Sequence, residues 1–333
     1  MKSPAQQTSS SRPPARARAF APGGIGNIGP GLDILGCAVT GPGDTVDIEW
    51  GQNGSAPIVV VDAGHPDLPT DPTRHASAIA ATAVLRIAGA TSRGLVLRAR
   101  KGLPLAGGQG GSAASAVAGA VAANALLGGP LDDAALLQAA LEAESTVAGR
   151  HADNIGSALL GGLVLVRSMD PLDVVSLPLH ADPRIVLALP AQRLRTAEAR
   201  SVLPASLDRA VALHQAAQVA AMVAAFGTGD LELLRRALDD RIAEPARAPL
   251  LPGFLVAKSA ALHAGALGCS ISGAGPTSFA FAADDASAAR VAAAMQQAYA
   301  RAGVSAEMRV ARIERHGARV ELLSESDVLQ LPC

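Results

Sequence analysis

A chain of 333 residues suits one large domain or two closely packed ones, and a hydrophobic content of 49% supports a substantial core. The formal net charge of −1 gives no basic surface for nucleic acid or an anionic membrane, so we expect neither as a partner. Three cysteines, Cys37, Cys269 and Cys333, lack the spacing of a metal site or a disulfide framework. Without a signal-peptide segment at the N-terminus, a cytoplasmic location is expected.

The first third of the chain alternates glycine-rich and apolar segments. Residues 1–17 are rich in Ser, Pro, Gln and Arg without an apolar period, which predicts a disordered tail. Segment 22–36 is dense in glycine, and predicts a loop whose backbone approaches a ligand or another chain segment closely; a wide surface loop is the alternative. Strands are predicted at 45–49, 57–61 and 94–100, and a helix at 73–88.

The segment that organises the chain runs from residue 101 to residue 127. Four glycines and a Gln occupy 107–111, and Ser112 opens a run dominated by Ala and Val. Serine is a good residue to begin a helix, and the first amides of a helix favour phosphate because they lack internal partners. The sequence predicts a phosphate-binding loop here, with an ordinary glycine-rich turn as the alternative. Pro104 and the glycines leave about 15 apolar residues, which indicates a buried helix rather than a membrane span.

The rest of the chain mixes helices and strands. Asp132 is predicted to cap a helix that reaches Val147, and a polar turn follows at 148–156. Strands are predicted at 162–167 and 184–190, helices at 206–226, 230–241, 254–266 and 286–302, a β-hairpin at 269–281, and closing strands at 306–313 and 319–323. This mixture, with hairpin-like pairs at the end, favours an α+β fold over a doubly wound sheet.

Motifs of several common enzyme classes are absent from the sequence. There is no G-x-x-x-x-G-K-[ST] loop, no G-x-S-x-G and no His/Cys metal cluster. The glycines at 23–29 do not lie in a strand–GxGxxG–helix arrangement with an acidic residue further on. Three glycine-rich loops remain, at 22–36, 104–112 and 272–276, and together they predict one ligand that carries much charge.

These three loops resemble the signature motifs of the GHMP small-molecule kinases, in the same order and at the same spacing. Residues 22–33 are similar to P-x-S-S-A-N-L-G-P-G-F-D, 104–115 to P-L-G-S-G-L-G-S-S-A-A-S, and 272–277 to S-G-A-G-P-T. Within that family, segments 151–154, 196–204 and 244–249 resemble those of the homoserine kinases. The resemblance covers about residues 18–323.

The resemblance implies the fold and its division into lobes. An α+β GHMP kinase fold is expected to have an N-terminal, ribosomal-S5-like α/β lobe at 18–167, which binds ATP. A C-terminal, ferredoxin-like α+β lobe is expected at 168–333. A homodimer is also implied by resemblance alone.

The implied activity is ATP-dependent phosphorylation of the hydroxyl of L-homoserine, in threonine biosynthesis. The implied ATP-binding residues are Pro104, Gly107, Gly108, Gly110, Gly111, Ser112, Ala113 and Ser115. Mg²⁺ is implied at Ser112 and Glu144, since it prefers hydroxyl and carboxylate oxygens. The spacing from Glu144 to His151 is one residue shorter than expected, so Glu142 competes as the metal ligand.

The resemblance also assigns the substrate end. The implied roles are Asp33 for the ammonium, Arg200 and Arg247 for the carboxylate, and Asn27, His151 and Asn154 for orientation. Asn27, Asn154 and Arg200 form the implied catalytic set. Asn154 stands where the family faces the reacting hydroxyl, and an amide cannot usefully accept a proton. Transfer of that proton to the γ-phosphate is the expected route.

Several positions depart from the family motifs. Gly23, Gly24 and Gly26 replace Ser, Ser and Ala, Leu32 replaces Phe, and Gly111 replaces the first of two serines. One alternative is therefore another GHMP kinase that acts on threonine, mevalonate or shikimate. The other is a non-catalytic descendant of the fold that binds a small molecule or a partner. Mevalonate and shikimate have no ammonium group for Asp33. The presence of Ser112, a Glu at 142–144, Arg200 and Arg247 argues against the non-catalytic alternative, because a binding module does not need them.

Overall fold

The computed structural model describes residues 15–53 and 58–321. Several predictions fall outside these residues: most of the predicted tail, residue 57, residues 322–323 of the last predicted strand, and Cys333. The strands are β1 (Arg16–Gly26), β2 (Leu35–Asn53), β3 (Ile58–Asp62), β4 (Arg93–Arg100), β5 (Leu163–Met169), β6 (Leu172–Ser176), β7 (Arg184–Pro190), β8 (Gly268–Ile271), β9 (Ser278–Ala282), β10 (Ala306–Ala311) and β11 (Arg319–Glu321). The helices are α1 (Ala76–Ile87), α2 (Gly111–Leu126), α3 (Asp133–Val147), α4 (Asp153–Leu160), α5 (Thr196–Ser201), α6 (Arg209–Thr228), α7 (Leu231–Ala237), α8 (Ala243–Arg247), α9 (Phe254–His263) and α10 (Asp285–Arg301), with a 3₁₀ turn at Ala248–Leu250.

The first sheet has seven strands and carries the Ala- and Val-rich helix α2 against its inner face. Its main path is β11-β1-β2-β4-β3, with β5 pairing both β2 and β6. All of its pairs are antiparallel except β3 with β4. Helix α2 contacts β1 and β2 and packs against α1. A Cβ on Gly119 would lie 2.4 Å from the carbonyl oxygen of Ser77, so this close crossing requires glycine.

The second sheet has four antiparallel strands in the order β10-β7-β9-β8 and is covered on both faces. Successive side chains of β7 alternate between two cores, as strand geometry requires. Ile185 packs with Phe226 of α6, whereas Val186 packs in the core that contains Met295 of α10. The core on the α6 side also contains Ile25 of β1, so the two sheets share buried side chains.

The α+β class is confirmed, and several predicted elements are corrected. Strand β1 begins at Arg16, so the predicted tail is wrong for residues 16–17. It continues to Gly26, so the first part of the predicted loop at 22–36 is strand, held by pairing with β2. Helix α4 begins inside the predicted polar turn, and β6 was not predicted.

The closing strands also differ from the predicted hairpin-like pairing. Strand β10 pairs with β7 in the second sheet, while β11 pairs with β1 in the first. The division of the chain at residue 167 stays a prediction. Strands β6 and β11, which follow that point, both belong to the first sheet.

Helix α6 is apolar and largely exposed. Within the part of the chain that the structure describes, it alone has the length and hydropathy of a membrane span, with 22% of the window buried. One such helix is weak evidence for a membrane protein. Met222, Ala225 and Phe226 on its buried face close the core over the second sheet. The helix is therefore an integral part of the C-terminal half of the fold.

Candidate active site

A cleft of about 340 Å³ lies where the three glycine-rich loops meet. Their backbones are hydrogen-bonded to one another. The amide of Gly24 donates to Gln109 O at 3.1 Å, and the amide of Gly273 donates to Gly26 O at 3.0 Å. The Ser272 hydroxyl donates to Gly108 O at 2.6 Å. The structure thus brings together the three segments that the sequence predicted to share a ligand.

Close packing explains the glycines at two of these contacts. Gly108 has a φ of +76°, and a Cβ there would lie 2.7 Å from the carbonyl oxygens of Ser272 and Gly275. A Cβ on Gly26 would lie 2.7 Å from Asn154 Nδ2 and from Asp153 Oδ2. A methyl group at position 26 would therefore require the side chains of Asn154 and Asp153 to shift.

The N-terminus of α2 forms one wall of the cleft. The helix begins at Gly111, after Gly110 at a φ of +67°, and no side chain caps it. Ser112 is therefore the second helical residue and not the cap, and its hydroxyl donates to Glu144 Oε1 at 3.0 Å. Because the first amides of a helix lack internal acceptors and lie at the positive end of its dipole, this wall is suited to phosphate.

Glu144 is a buried carboxylate at the same wall. Its side chain is 2% exposed, and its Oε2 has no hydrogen-bond partner in the described structure. Burial raises the pKa of Glu144 to about 7, against the lowering effect of the Ser112 hydrogen bond. Glu142, the predicted competitor, faces away and pairs with Arg86 at the surface. Of the two acidic residues, Glu144 alone contacts Ser112.

The donor set fits a magnesium ion. A hydroxyl beside a buried carboxylate with a free oxygen offers the hard oxygen ligands that Mg²⁺ prefers. The described residues contain no group of three or more His, Cys, Asp or Glu that could hold a metal. Mg²⁺ commonly takes only one or two protein carboxylates and completes its shell with phosphate and water, so a smaller donor set suffices.

His151 and Asp153 lie next to Glu144. His151 Nδ1 is 3.7 Å from Glu144 Oε1 and 3.8 Å from Asp153 Oδ1, and neither ring nitrogen has a hydrogen-bond partner among the described residues. Burial raises the pKa of Asp153, while the nearby His151 lowers it. Asp153 is not among the predicted site residues, although it stands between His151 and Asn154 in the matched motif. Its place in that motif could have identified Asp153 as a site residue from the sequence.

Asn27 links the first and third loops. Its Nδ2 donates to Gly273 O at 3.0 Å, and its Oδ1 accepts from the amide of Asp33 at 3.0 Å. The backbone amide of Asn27 donates to Asp153 Oδ2 at 3.2 Å. Both side-chain polar atoms of Asn27 thus contact backbone, and the side chain fixes the loop that presents Asp33.

The opposite end of the cleft carries charged side chains. Arg200, on α5, donates through both terminal nitrogens to Asp33, at 2.6 and 3.1 Å. Arg247, at the end of α8, is 2% exposed and donates to Ala199 O at 3.0 Å and to Gly273 O at 2.9 Å. Burial, and then the nearby Arg200, lower the pKa of Arg247. Two arginines beside one aspartate leave an excess positive charge, which suits a carboxylate ligand.

The residues predicted to bind the nucleotide lie in the lining of the cleft, except for Ala113. The cleft is lined by Pro104, Gly107, Gly108, Gly110, Gly111, Ser112 and Ser115. Ala113 packs in the core and offers only its backbone amide. The Ser115 hydroxyl donates to Asp44 Oδ2 at 2.6 Å, so it is engaged within the protein.

Family models match both halves of the chain. The GHMP kinases N terminal domain matches residues 75–162, and the GHMP kinases C terminal model matches residues 222–301. A homoserine kinase of Chlorobium phaeobacteroides (strain BS1) is 40% identical over 316 residues, which cover 90% of this chain and 98% of that protein. The chain belongs to the homoserine kinase family of the GHMP kinases.

A plant relative and a solved structure agree with this assignment. The homoserine kinase of Arabidopsis thaliana is 42% identical over 269 residues, which cover 79% of this chain and 73% of that protein. The crystal structure of homoserine kinase from Cytophaga hutchinsonii is 36% identical and superposes with a TM-score of 0.88, covering 96% of this chain and all of that one. The GHMP kinase fold expected from the motifs is therefore confirmed.

Proposed function

We propose that this chain transfers the γ-phosphoryl group of ATP to the side-chain hydroxyl of L-homoserine and forms O-phospho-L-homoserine. One observation carries the proposal: a helix N-terminus suited to phosphate and an Asp–Arg–Arg set suited to an amino acid line the same cleft. No feature of the cleft favours mevalonate or shikimate, since neither has an ammonium group for Asp33.

The net charge of the substrate end is the same before and after an amino acid binds, because a zwitterion has no net charge. Asp33 and Arg200 pair with each other, and a zwitterion carries the same two charges. The ammonium of homoserine binds Asp33, and its carboxylate binds Arg200 and the buried Arg247. After this exchange, every charged group has a partner. A ligand with only one of the two charges would leave a charged group of the site unpaired.

The phosphate end positions the nucleotide. The first amides of α2 and the backbone of 107–110 hold the phosphates, with Ser112 and Glu144 as the ligands of Mg²⁺. Bound Mg²⁺ neutralises the charge on the phosphate oxygens during transfer. Glu144 stays close to Ser112 through their hydrogen bond, which fixes both oxygens on one side of the cleft.

The reacting hydroxyl is oriented by Asn154, which lies against Gly26 and Gly110 between the two ends. Its amide forms hydrogen bonds but does not take up a proton. The hydroxyl proton therefore passes to an oxygen of the transferred phosphoryl group as the new O–P bond forms and the bond to ADP breaks. Catalysis by the protein rests on positioning and on charge.

A coupled assay of ADP release tests the proposal, with Mg-ATP and equal concentrations of L-homoserine, L-threonine, mevalonate and shikimate. We expect kcat/KM for L-homoserine to exceed those for mevalonate and shikimate by at least about 100-fold, because neither has an ammonium group and each would leave Asp33 unpaired. L-threonine carries both charges, so its comparison with L-homoserine tests the position of the reacting hydroxyl instead. Equal rates with all four acceptors would refute it. A cytoplasmic location and a homodimer stay predictions from the sequence.

A further inference from the structure

Asp44, on β2, contacts both ends of the phosphate loop (104–110). Its Oδ1 accepts from the amides of Gly102 at 3.1 Å and Leu103 at 3.3 Å, where the chain enters the loop. Its Oδ2 accepts from the hydroxyl of Ser115, at 2.6 Å, in the first turns of α2 where the chain leaves the loop. The carboxylate is 1% exposed. One buried group thus fixes both sides of a glycine-rich segment.

Lys101 completes the same contact. Its ammonium forms an ion pair with Asp44 and donates to Gly111 O at 2.9 Å and to Ser115 Oγ at 3.0 Å. An ammonium group has three hydrogens, so each of them has an acceptor within the protein. Although Lys101 lines the cleft, its side chain is only 6% exposed. Contact with a phosphate would require it to give up one of these three acceptors.

The contact limits the freedom of the loop. Glycine-rich segments lose much conformational entropy when they become ordered, so a loop without fixed ends samples many conformations. Phosphate binding by backbone amides depends on their prior alignment, because misplacement by about 1 Å costs on the order of 100-fold in rate. Removing either member of the buried pair leaves the other charge uncompensated and weakens both attachments.

We propose that Asp44 and Lys101 are positioning residues for the phosphate site. They hold the two ends of the phosphate loop at a fixed separation, and Lys101 acts on the nucleotide through the loop rather than by touching it. This inference rests on the proposed function only in taking the loop as the ATP site. The order that the pair imposes on the loop exists without nucleotide.

Amide hydrogen exchange of segment 104–112 without nucleotide tests the ordering directly. The variants are Lys101→Met, Asp44→Asn and the double variant that carries both. Arg98→Met is the control, because Arg98, three residues before Lys101, forms an ion pair of its own with Glu49 on β2, at 2.7 Å and away from the loop. We expect faster exchange of 104–112 in all three test variants and wild-type exchange in the control.

Steady-state kinetics separate positioning from direct contact. Lys101→Met and Asp44→Asn should each lower kcat/KM for ATP by roughly 10- to 100-fold, with little change in KM for L-homoserine. The double variant has no unpaired buried charge, so it should recover thermal stability but not ATP kinetics. It also provides a folded sample if a single variant does not fold.

Two results would overturn the proposal. If Lys101→Met impairs ATP kinetics while Asp44→Asn does not, Lys101 contacts the phosphates directly. If exchange of 104–112 is unchanged in the double variant, the pair does not order the loop. A different result would reject only the proposed function: the wild-type protein fails to phosphorylate homoserine, while exchange of 104–112 is still faster in the variants. The positioning role would then stand.

Discussion

The two ends of the cleft present different chemistry to a ligand. At the phosphate end, the ligand meets the backbone of 107–110, the first amides of α2, the hydroxyl of Ser112 and the single carboxylate of Glu144 that accepts from it. At the opposite end it meets the charged groups of Asp33, Arg200 and Arg247. A backbone surface recognises any polyphosphate of the right shape, whereas fixed charges select the acceptor. We therefore expect the backbone of the phosphate end to be sensitive to changes of volume. The substrate end, and Glu144 at the phosphate end, should be sensitive to changes of charge.

The largest expected effect comes from removing a charged side chain at the substrate end. Arg247→Ala should lower kcat/KM for L-homoserine by roughly 100- to 1,000-fold, because it removes a buried, charge-assisted donor. KM for ATP should change far less. Arg247→Lys keeps the charge but loses the fork geometry, and should recover only part of the loss. Arg235→Ala, which breaks an exposed pair with Glu232, is the control. An equal rise in both KM values would remove Arg247 from the carboxylate site.

The next effect tests the charged group at the phosphate end. Glu144→Gln should lower kcat by roughly 100-fold and raise the Mg²⁺ concentration required for half-maximal rate, since an amide is a poorer ligand for a hard ion. Glu142→Gln, two residues earlier on α3, should behave as wild type. Titration of both variants with Mg²⁺ distinguishes them. A stronger effect at Glu142 would reverse the assignment.

A change of volume should have different effects at Gly108, in the phosphate loop, and at Gly111, the first residue of α2. Gly108→Ala should destabilise the fold by about 1–3 kcal/mol and impair ATP use, because its Cβ meets two carbonyls at a positive φ. Gly111→Ser restores the serine of the family motif, and the nearest atom to its Cβ is Lys101 Nζ, at an ordinary contact distance of 3.4 Å. It should change stability by less than about 0.5 kcal/mol. Thermal unfolding that ranks the two variants in the opposite order would contradict this packing.

The smallest effect concerns pH. The pKa of Glu144 is raised in the folded chain to about 7 from an ordinary value of 4.5, so the folded state holds this proton more tightly than the unfolded state. Stability should therefore fall as pH rises toward 7, by about 1 kcal/mol between pH 6 and pH 7 without Mg²⁺. Glu144→Gln should reduce this slope. Denaturant unfolding at the two pH values measures it, and an unchanged slope would mean that Glu144 is ionised throughout.

Contiguous features of the site and fold could be predicted from the sequence. The cap of Asp132 on α3, the limits of β7 and the β8–β9 hairpin follow from local patterns, and the structure confirms them. The three glycine-rich loops could also be found because each is continuous in the chain. Their meeting in one cleft follows from the family motifs that they match.

Features that depend on distant contacts could not be predicted. The glycines at 22–26 indicated a loop, yet pairing with β2 makes that segment strand. Periodicity does not reveal which sheet a short strand joins, so the separation of β10 from β11 was missed. The choice between Glu142 and Glu144 depends on which face of α3 meets Ser112. The contact of Asp44 with Lys101 joins residues 57 positions apart.

The carbonyl of Gly273 affects the spacing of the charged groups at the substrate end. It accepts from both Arg247 and Asn27, and Asn27 in turn accepts from the amide of Asp33. Arg247 and the backbone of Asp33 are therefore connected through the Gly273 carbonyl and the Asn27 side chain. The separation of these two charged groups therefore depends on the position of the Gly273 carbonyl.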